Sequence, residues 1–230
     1  MNIIIHRGTH QIGGSAIEIS TASTRIVLDF GNELSLDEKY TPINLDIDGV
    51  TKGIADCDGI VISHYHMDHL GQLNSALPDI PLYMGELSKE IALIGSEYQD
   101  KDLYLRLLGA NTFRGGEAFT IGDIRIRPLV IDHSAADSYM FVIEAEGKHL
   151  LYTGDFRMHG LRHHVLQKLV NTYIGEIDVL ITEGTLLSRD ADDRISEAAV
   201  LDDISSYIQD GKYVFVMCSS TNIDRIMGIW

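Results

Sequence analysis

The 230-residue chain reads as a mixed α/β protein, and three features of its sequence predict this. Short apolar runs bounded by Gly, Asp or Asn recur along its length, the pattern of strands in a buried sheet. Between them lie stretches with apolar residues at helical spacing. An apolar content of 45%, without repeats or low-complexity tracts, is enough for a continuous core.

Strands are expected at 2–6, 16–20, 25–29, 59–63, 81–84, 123–130, 138–145, 148–153, 178–182 and 213–218. The first three alternate or run apolar around Ile3–Ile5, Ile17–Ile19 and Ile26–Leu28, and Gly59-Ile60-Val61-Ile62-Ser63 reads as a short buried strand. Glu144-Ala145-Glu146-Gly147-Lys148 is a hairpin signal that joins 138–145 to 148–153. Residues 87–97 read as a helix with Leu87, Ile91 and Ile94 on one side, and 161–170 as another. The clearest helix is 196–210: Val200, Leu201, Ile204, Tyr207 and Ile208 share a face, Ser196 can cap it and Gly211 can end it. Its acids make a solvated face. Thr221 through Ile226 begins a further helix.

The chemistry concentrates in Ser63-His64-Tyr65-His66-Met67-Asp68-His69. On an extended continuation of the 59–63 strand, His64 and His66 point to the same side and can grip one metal together. Asp68 and His69 follow where the chain turns and can face a second metal. A lone histidine is more often a satisfied polar group than a ligand. Four metal-type side chains within six residues at the end of an apolar run are different, because burying that polarity without a cation is costly. His133 and Asp155 each sit just past another apolar run.

His-x-His-x-Asp-His at 64–69 resembles the hallmark of the metallo-β-lactamase-fold hydrolases, and the resemblance runs over nearly the whole chain. It implies an αββα sandwich, two sheets face to face with helices outside. It also implies two divalent metal ions, with His64, His66 and His133 on one, Asp68 and His69 on the other, and Asp155 bridging. Arg25-Ile26-Val27-Leu28-Asp29-Phe30-Gly31 looks like the family's early strand ending in an aspartate that orients the site. Asp29, and with it Asp132, would fix ligand imidazoles through hydrogen bonds. A metal-bridged hydroxide would be the nucleophile, with Asp68 and Asp155 positioning it and lowering the site's positive charge. Four imidazoles and no thiolate suit zinc, and the carboxylates tolerate manganese or iron.

Three passages narrow the resemblance to the nuclease branch with a β-CASP insertion, the group of ribonuclease J and the polyadenylation endonuclease. They are the Gly-rich turn Arg7–Ser15, the acidic motif Ile181-Thr182-Glu183-Gly184-Thr185, and Tyr213–Ser220, similar to the strand that opens the insertion. This implies a metallo-β-lactamase domain over 1–205, the start of the insertion over 206–230, and a role for Glu183 at the leaving group. Single-domain members supply another histidine beyond the bridging aspartate, whereas here the last histidines are His159, His163 and His164. The expectation is therefore a chain that stops at the start of the insertion, with one metal short of a ligand. His159, His163 and His164 are expected on solvated segments, and His6 and His10 in structural or rim positions.

Composition bounds the function. No run of about 18 apolar residues is present, so no membrane helix is expected. No signal peptide is visible at the start, and two isolated cysteines fit a reducing cytoplasm better than a disulfide framework. A net charge of −16 is awkward for a nuclease, because phosphate affinity usually comes from Lys and Arg. The acids concentrate between Asp190 and Asp210, away from the metal motif, so charge can be segregated. The leading expectation is a metal-dependent phosphodiesterase cleaving RNA, with DNA as the second substrate. The rivals are a small-molecule hydrolase of the same fold, a thioesterase or lactonase, and an inactive metal-binding subunit. A homo-oligomer is left open.

Overall fold

The computed structural model describes residues 1–35, 41, 43–187, 195–209 and 213–230. Its first sheet comprises β1 (Asn2–Arg7), β2 (Ala16–Ser20), β3 (Arg25–Leu28), β4 (Gly59–Val61), β5 (Leu82–Gly85) and β6 (Asn111–Phe113), in that spatial order. β1 to β3 pair antiparallel and β3 to β6 parallel. The second sheet comprises β7 (Phe119–Ile121), β8 (Ile124–Ile131), β9 (Ser138–Ala145), β10 (Lys148–Tyr152) and β11 (Val179–Ile181), also in chain order. Only its β10–β11 pair is parallel. Glu146 (φ 50°) and Gly147 (φ 70°) form the expected β9–β10 turn, and positive φ at both positions matches the twist of a two-residue hairpin.

The period of two explains the layers. Ile26 and Leu28 face the second sheet while Val27 faces outward, and Tyr139, Phe141 and Ile143 face the first sheet while Met140 and Val142 face outward. Both faces of central strands such as β3 and β9 are therefore buried, which is why these strands read as continuous apolar runs. Helices cover the two outer faces. α2 (Glu86–Ser96) and α3 (Lys101–Leu108) pack on the first sheet through Ile91, Ala92, Leu93, Leu103 and Leu107. α4 (His164–Leu169), prolonged by the π-helical turn Val170–Ile174, packs on the second through Val165, Leu166, Leu169 and Ile174. The expected αββα sandwich is present.

Several expectations need correcting. Residues 213–218 form no strand: they pair with no described strand, and Tyr213, Phe215 and Met217 are 98%, 95% and 100% exposed. Strand propensity without a ladder partner leaves backbone and side chains to solvent. Of the Leu87, Ile91 and Ile94 side of α2 only Ile91 packs on the core, because Leu87 and Ile94 are exposed while Ser88 and Ser96 are buried. The helix is turned by its first turn, where the Ser88 amide donates to Asp137 Oδ2 at 2.9 Å. β4 ends at Val61 rather than residue 63. α3, β6 and β7 were not anticipated; the strands have three residues each, although Asp100, which accepts from the Leu103 amide at 3.0 Å, carried a capping signal for α3.

The C-terminal helices are α5 (Glu197–Gln209) and α6 (Ile223–Ile229). Ser196 Oγ accepts from the Ala199 amide at 3.2 Å, as expected of the cap. Gly211, and the acids at 190, 192, 193 and 210, lie outside the described residues.

Candidate metal centre

The site stands where five strands end. Asp29 follows β3, the 63–69 segment follows β4, Asp132 and His133 follow β8, Asp155 follows β10, and Glu183 follows β11. β8 and β10 both run antiparallel to β9, so their carboxyl ends lie on the same side. The strand-to-helix segment at 62–66 bends into the four-residue α1 (Met67–Leu70). His64 and His66 therefore converge through this bend and not by continuing β4.

Two groups of donors result. The donor atoms of His64, His66 and His133 lie within 4.8 Å of one another, and so do those of His64, His69 and Asp155. The Asp155 carboxylate spans the groups, with Oδ1 3.3 Å from His69 Nε2 and Oδ2 3.8 Å from His133 Nε2. Asp68 stands beside them, its Oδ2 3.7 Å from His69 Nε2. Like-donor crowding is pronounced: His66 Nδ1 and His133 Nε2 are 3.2 Å apart.

Asp29 fixes which ring nitrogens face the centre. Its Oδ2 accepts from His69 Nδ1 at 2.7 Å, from Ser63 Oγ at 2.8 Å and from the Tyr152 hydroxyl at 2.5 Å, while Oδ1 accepts from the Ser63 amide at 2.7 Å. The Ser63 hydroxyl proton is thus spent on Asp29, so at 3.0 Å from His64 Nδ1 this oxygen accepts and the imidazole donates. Both His64 and His69 then present Nε2 to the centre. His64 Nε2 is a fully buried lone pair with no hydrogen-bond partner. A buried orphan acceptor costs about 1–3 kcal/mol. A divalent cation satisfies it, and an N/O donor set with carboxylate charge fits zinc-type coordination.

Residues 24–204 match the beta-lactamase superfamily domain. The chain belongs to that superfamily. Among its relatives, an RNase J-like protein of Methanocaldococcus jannaschii is 27% identical over 92% of this chain and 49% of its own length. A probable RNase of the same organism is 26% identical over 80% of this chain and 45% of its own. This chain thus spans about half the length of these relatives. A crystal structure of a protein of unknown function from Enterococcus faecalis superposes over 99% of this chain and 62% of its own, with a TM-score of 0.83 at 20% identity.

In this superfamily member the donor loop rests on glycine. A Cβ at Gly31 would lie 1.7 Å from the Asp68 carbonyl oxygen, so the chain leaving β3 passes directly beneath the loop. From the other side, the Gly14 and Ser15 amides both donate to that oxygen at 3.1 Å. The Gly-rich first turn is therefore a support for the Asp68 backbone.

Burial, assisted by neighbouring imidazoles, holds His64 far below the usual histidine range, and burial likewise lowers His66 and takes His133 to about 3. All three are neutral, the form that binds metal. Burial opposes charge on His69 as well, but Asp29 and Asp155 outweigh it and raise this group well above its ordinary value. Burial pushes Asp68 upward; for Asp155 the hydrogen bond and charge of His69 overcome burial and keep the carboxyl low. Burial also raises Glu183, whose Oε1 accepts from the Phe156 amide at 2.8 Å.

Asp132 does not hold an imidazole. Its buried carboxylate accepts from Arg157 Nε at 2.9 Å and from the Arg162 amide at 3.1 Å, because a buried charge beside a guanidinium takes that partner. His159, His163 and His164 join neither donor group among the described residues, and His163 Nδ1 sits 3.0 Å from the Gly160 carbonyl. His6 is structural, its Nε2 2.9 Å from Glu18, which also pairs with Arg25. Sequence reasoning missed Ser63 and Tyr152, which share Asp29 with His69. A tyrosine ending an apolar strand needs a partner for its hydroxyl, and that was the available signal.

Proposed function

We propose that this chain carries the metal centre of a ribonuclease, a metal-dependent phosphodiesterase that cleaves RNA. The observation that carries the metal-dependent part is the pair of donor groups joined at His64 and spanned by Asp155. The RNA part draws its support from relatives named as RNases at 26–28% identity. His64, His66 and His133 would hold one divalent ion, Asp68 and His69 the other, and Asp155, which reaches both groups, would serve both. Zinc is the assigned metal, with manganese as the alternative. The bound ions supply Lewis acidity and a water acidified toward neutral pH.

The chain's own groups do the rest. Asp29 and Ser63 hold His69 and His64 in the tautomer that turns Nε2 to the centre. Asp68 and Asp155 orient the attacking water and balance charge. Glu183, raised by burial and anchored on the Phe156 amide, is the group we assign to assist the departing oxygen. We assign residues 1–205 to the catalytic domain and 206–230 to the opening of a β-CASP-like insertion. The superfamily match ending at 204 supports this boundary, and α5 runs through it as the connecting element. We place the protein in the cytoplasm, a reading that draws on Cys57 and Cys218 being free thiols; separately, among the described residues no helix is long and apolar enough to cross a membrane.

Charge favours one second reading, a small-molecule hydrolase. The chain carries −16, and Arg25, Arg114, Arg125, Arg157, Arg162 and Arg225 are all committed to carboxylates. The test is elemental analysis of the purified protein with hydrolysis assays on labelled single-stranded RNA, a thioester and a lactone. The expected result is about two zinc or manganese ions per chain and turnover of RNA alone. Turnover of the thioester or lactone in its place establishes the second reading. His66→Ala with Asp155→Ala is expected to abolish metal retention while circular dichroism stays unchanged; full metal content in that variant overturns the site.

A further inference from the structure

Tyr65 lies between two of the metal-donor residues; its ring enters the core beside them and meets the His66 ring edge-on, with centroids 5.6 Å apart. Its hydroxyl occupies a junction. It accepts from the Ala136 amide at 2.8 Å, on the loop that carries His133, and donates to the Thr221 carbonyl at 2.6 Å. Thr221 enters α6, whose cap is Asn222, with its side-chain oxygen 3.3 Å from the Arg225 amide.

A second route joins the same parts. Asp132, beside His133, pairs with Arg157, two residues past Asp155. Arg157 pairs at 3.1 Å with Glu197, the first residue of α5, and Glu197 pairs with Arg225 of α6. Arg162 closes the ring, bonding Asp132 through its amide and Asp224 of α6 through its guanidinium at 2.7 Å. Each of the three donor loops is thus tied, directly or through one neighbour, to α6. Among the described residues α6 makes no hydrogen bond or ion pair with a donor side chain.

We propose that Tyr65 is a positioning residue that couples the metal centre to α6. Its hydroxyl holds the His64–His66 and His133 loops at one spacing and locks that spacing to the position of Thr221. Coupling of this kind is reciprocal: a metal that fixes the loops steadies α6, and a partner or domain that moves α6 alters metal affinity by the same factor. The proposal rests on the metal reading of the site.

Tyr65→Phe keeps the ring and removes the junction. The test compares wild type, Y65F and Y83F in the complete protein; Tyr83 of the first sheet stacks on Phe119 of the second and serves as a hydroxyl-deletion control. Cobalt affinity is read by titration of its visible absorption, and amide hydrogen exchange over 219–229 is read with and without zinc. Wild type and Y83F are expected to bind cobalt alike and to gain zinc-dependent protection over 219–229. Y65F is expected to bind cobalt about tenfold more weakly, as for other supporting partners of metal ligands, and to lose that protection difference. A purely packing role would leave the zinc-dependent protection in place. Y65F with wild-type affinity and wild-type zinc-dependent protection overturns the coupling. Wild type that binds neither metal overturns the metal reading instead.

Discussion

Asp29 concentrates more of the site's order than any donor does. One carboxylate accepts four hydrogen bonds, and its backbone takes φ 54°, a left-handed conformation that Asp tolerates better than most residues. That turn swings the side chain under the donor loop. Asp29→Asn keeps the shape but replaces an acceptor oxygen with a donor that meets Ser63, His69 or Tyr152 head-on. Metal affinity is expected to fall by about 10–100-fold, read by competition with a chromogenic chelator. Stability of the metal-free protein should fall by about 1–3 kcal/mol, read by urea denaturation.

At the scale of elements, the site depends on chain crossings as much as on donors. β3 and β4 are parallel neighbours, so the chain leaving β3 at Asp29–Asn32 runs under the loop leaving β4. The Phe30 amide donates to the His69 carbonyl at 2.6 Å and the Asn32 amide to Met67 at 2.9 Å, and this intimacy leaves no room for a side chain at Gly31. Gly31→Ala is expected to destabilise the protein by more than about 3 kcal/mol through overpacking against backbone. Thermal unfolding measures this, with Gly147→Ala, whose added carbon meets open space, expected to cost far less. The two substitutions separate crowding from the strain of positive φ, since Gly147 has φ 70° and Gly31 has no positive φ.

For the whole molecule, the two sheets bring neutral imidazoles into a buried centre, and this sets the pH response. His133 titrates near 6.5 when unfolded and at about 3 in the fold. Between those values the unfolded chain binds the extra proton. This contribution to stability is whole above pH 6.5 and is lost as pH falls toward 3, at about 1.4 kcal/mol per pH unit for each such group. His64, also held well below the usual histidine range by burial, adds to the slope. Chelator-treated protein is expected to show a urea midpoint that drops steadily from pH 7 to pH 4, and His133→Gln should flatten that drop. Equal slopes in the two proteins would show that His133 does not titrate as its burial implies. Bound metal competes with the same protons, so retention should also fail on the acid side.

What the sequence determined by itself was chemical identity and local order. Side-chain type and spacing at 64–69, the apolar runs before His133 and Asp155, and the Glu146-Gly147 turn are all readable along the chain, because strands with both faces buried show as apolar runs and turns need particular residues. The superfamily and its sandwich follow from them. Only the tertiary structure decided which groups meet. Asp132 and Asp29 look alike in sequence, each an acid at a strand end, yet one faces Arg157 and the other His69. Ser63, Tyr65 and Tyr152 carry no motif, and their hydroxyls gain meaning only from partners 34 to 156 residues away. The 213–218 run shows the same limit, being strand-like in composition and without a ladder partner among the described residues. Propensity is a property of the residue, whereas a hydrogen bond or a ladder is a property of two segments brought together, and that meeting is set by how the sheets stack.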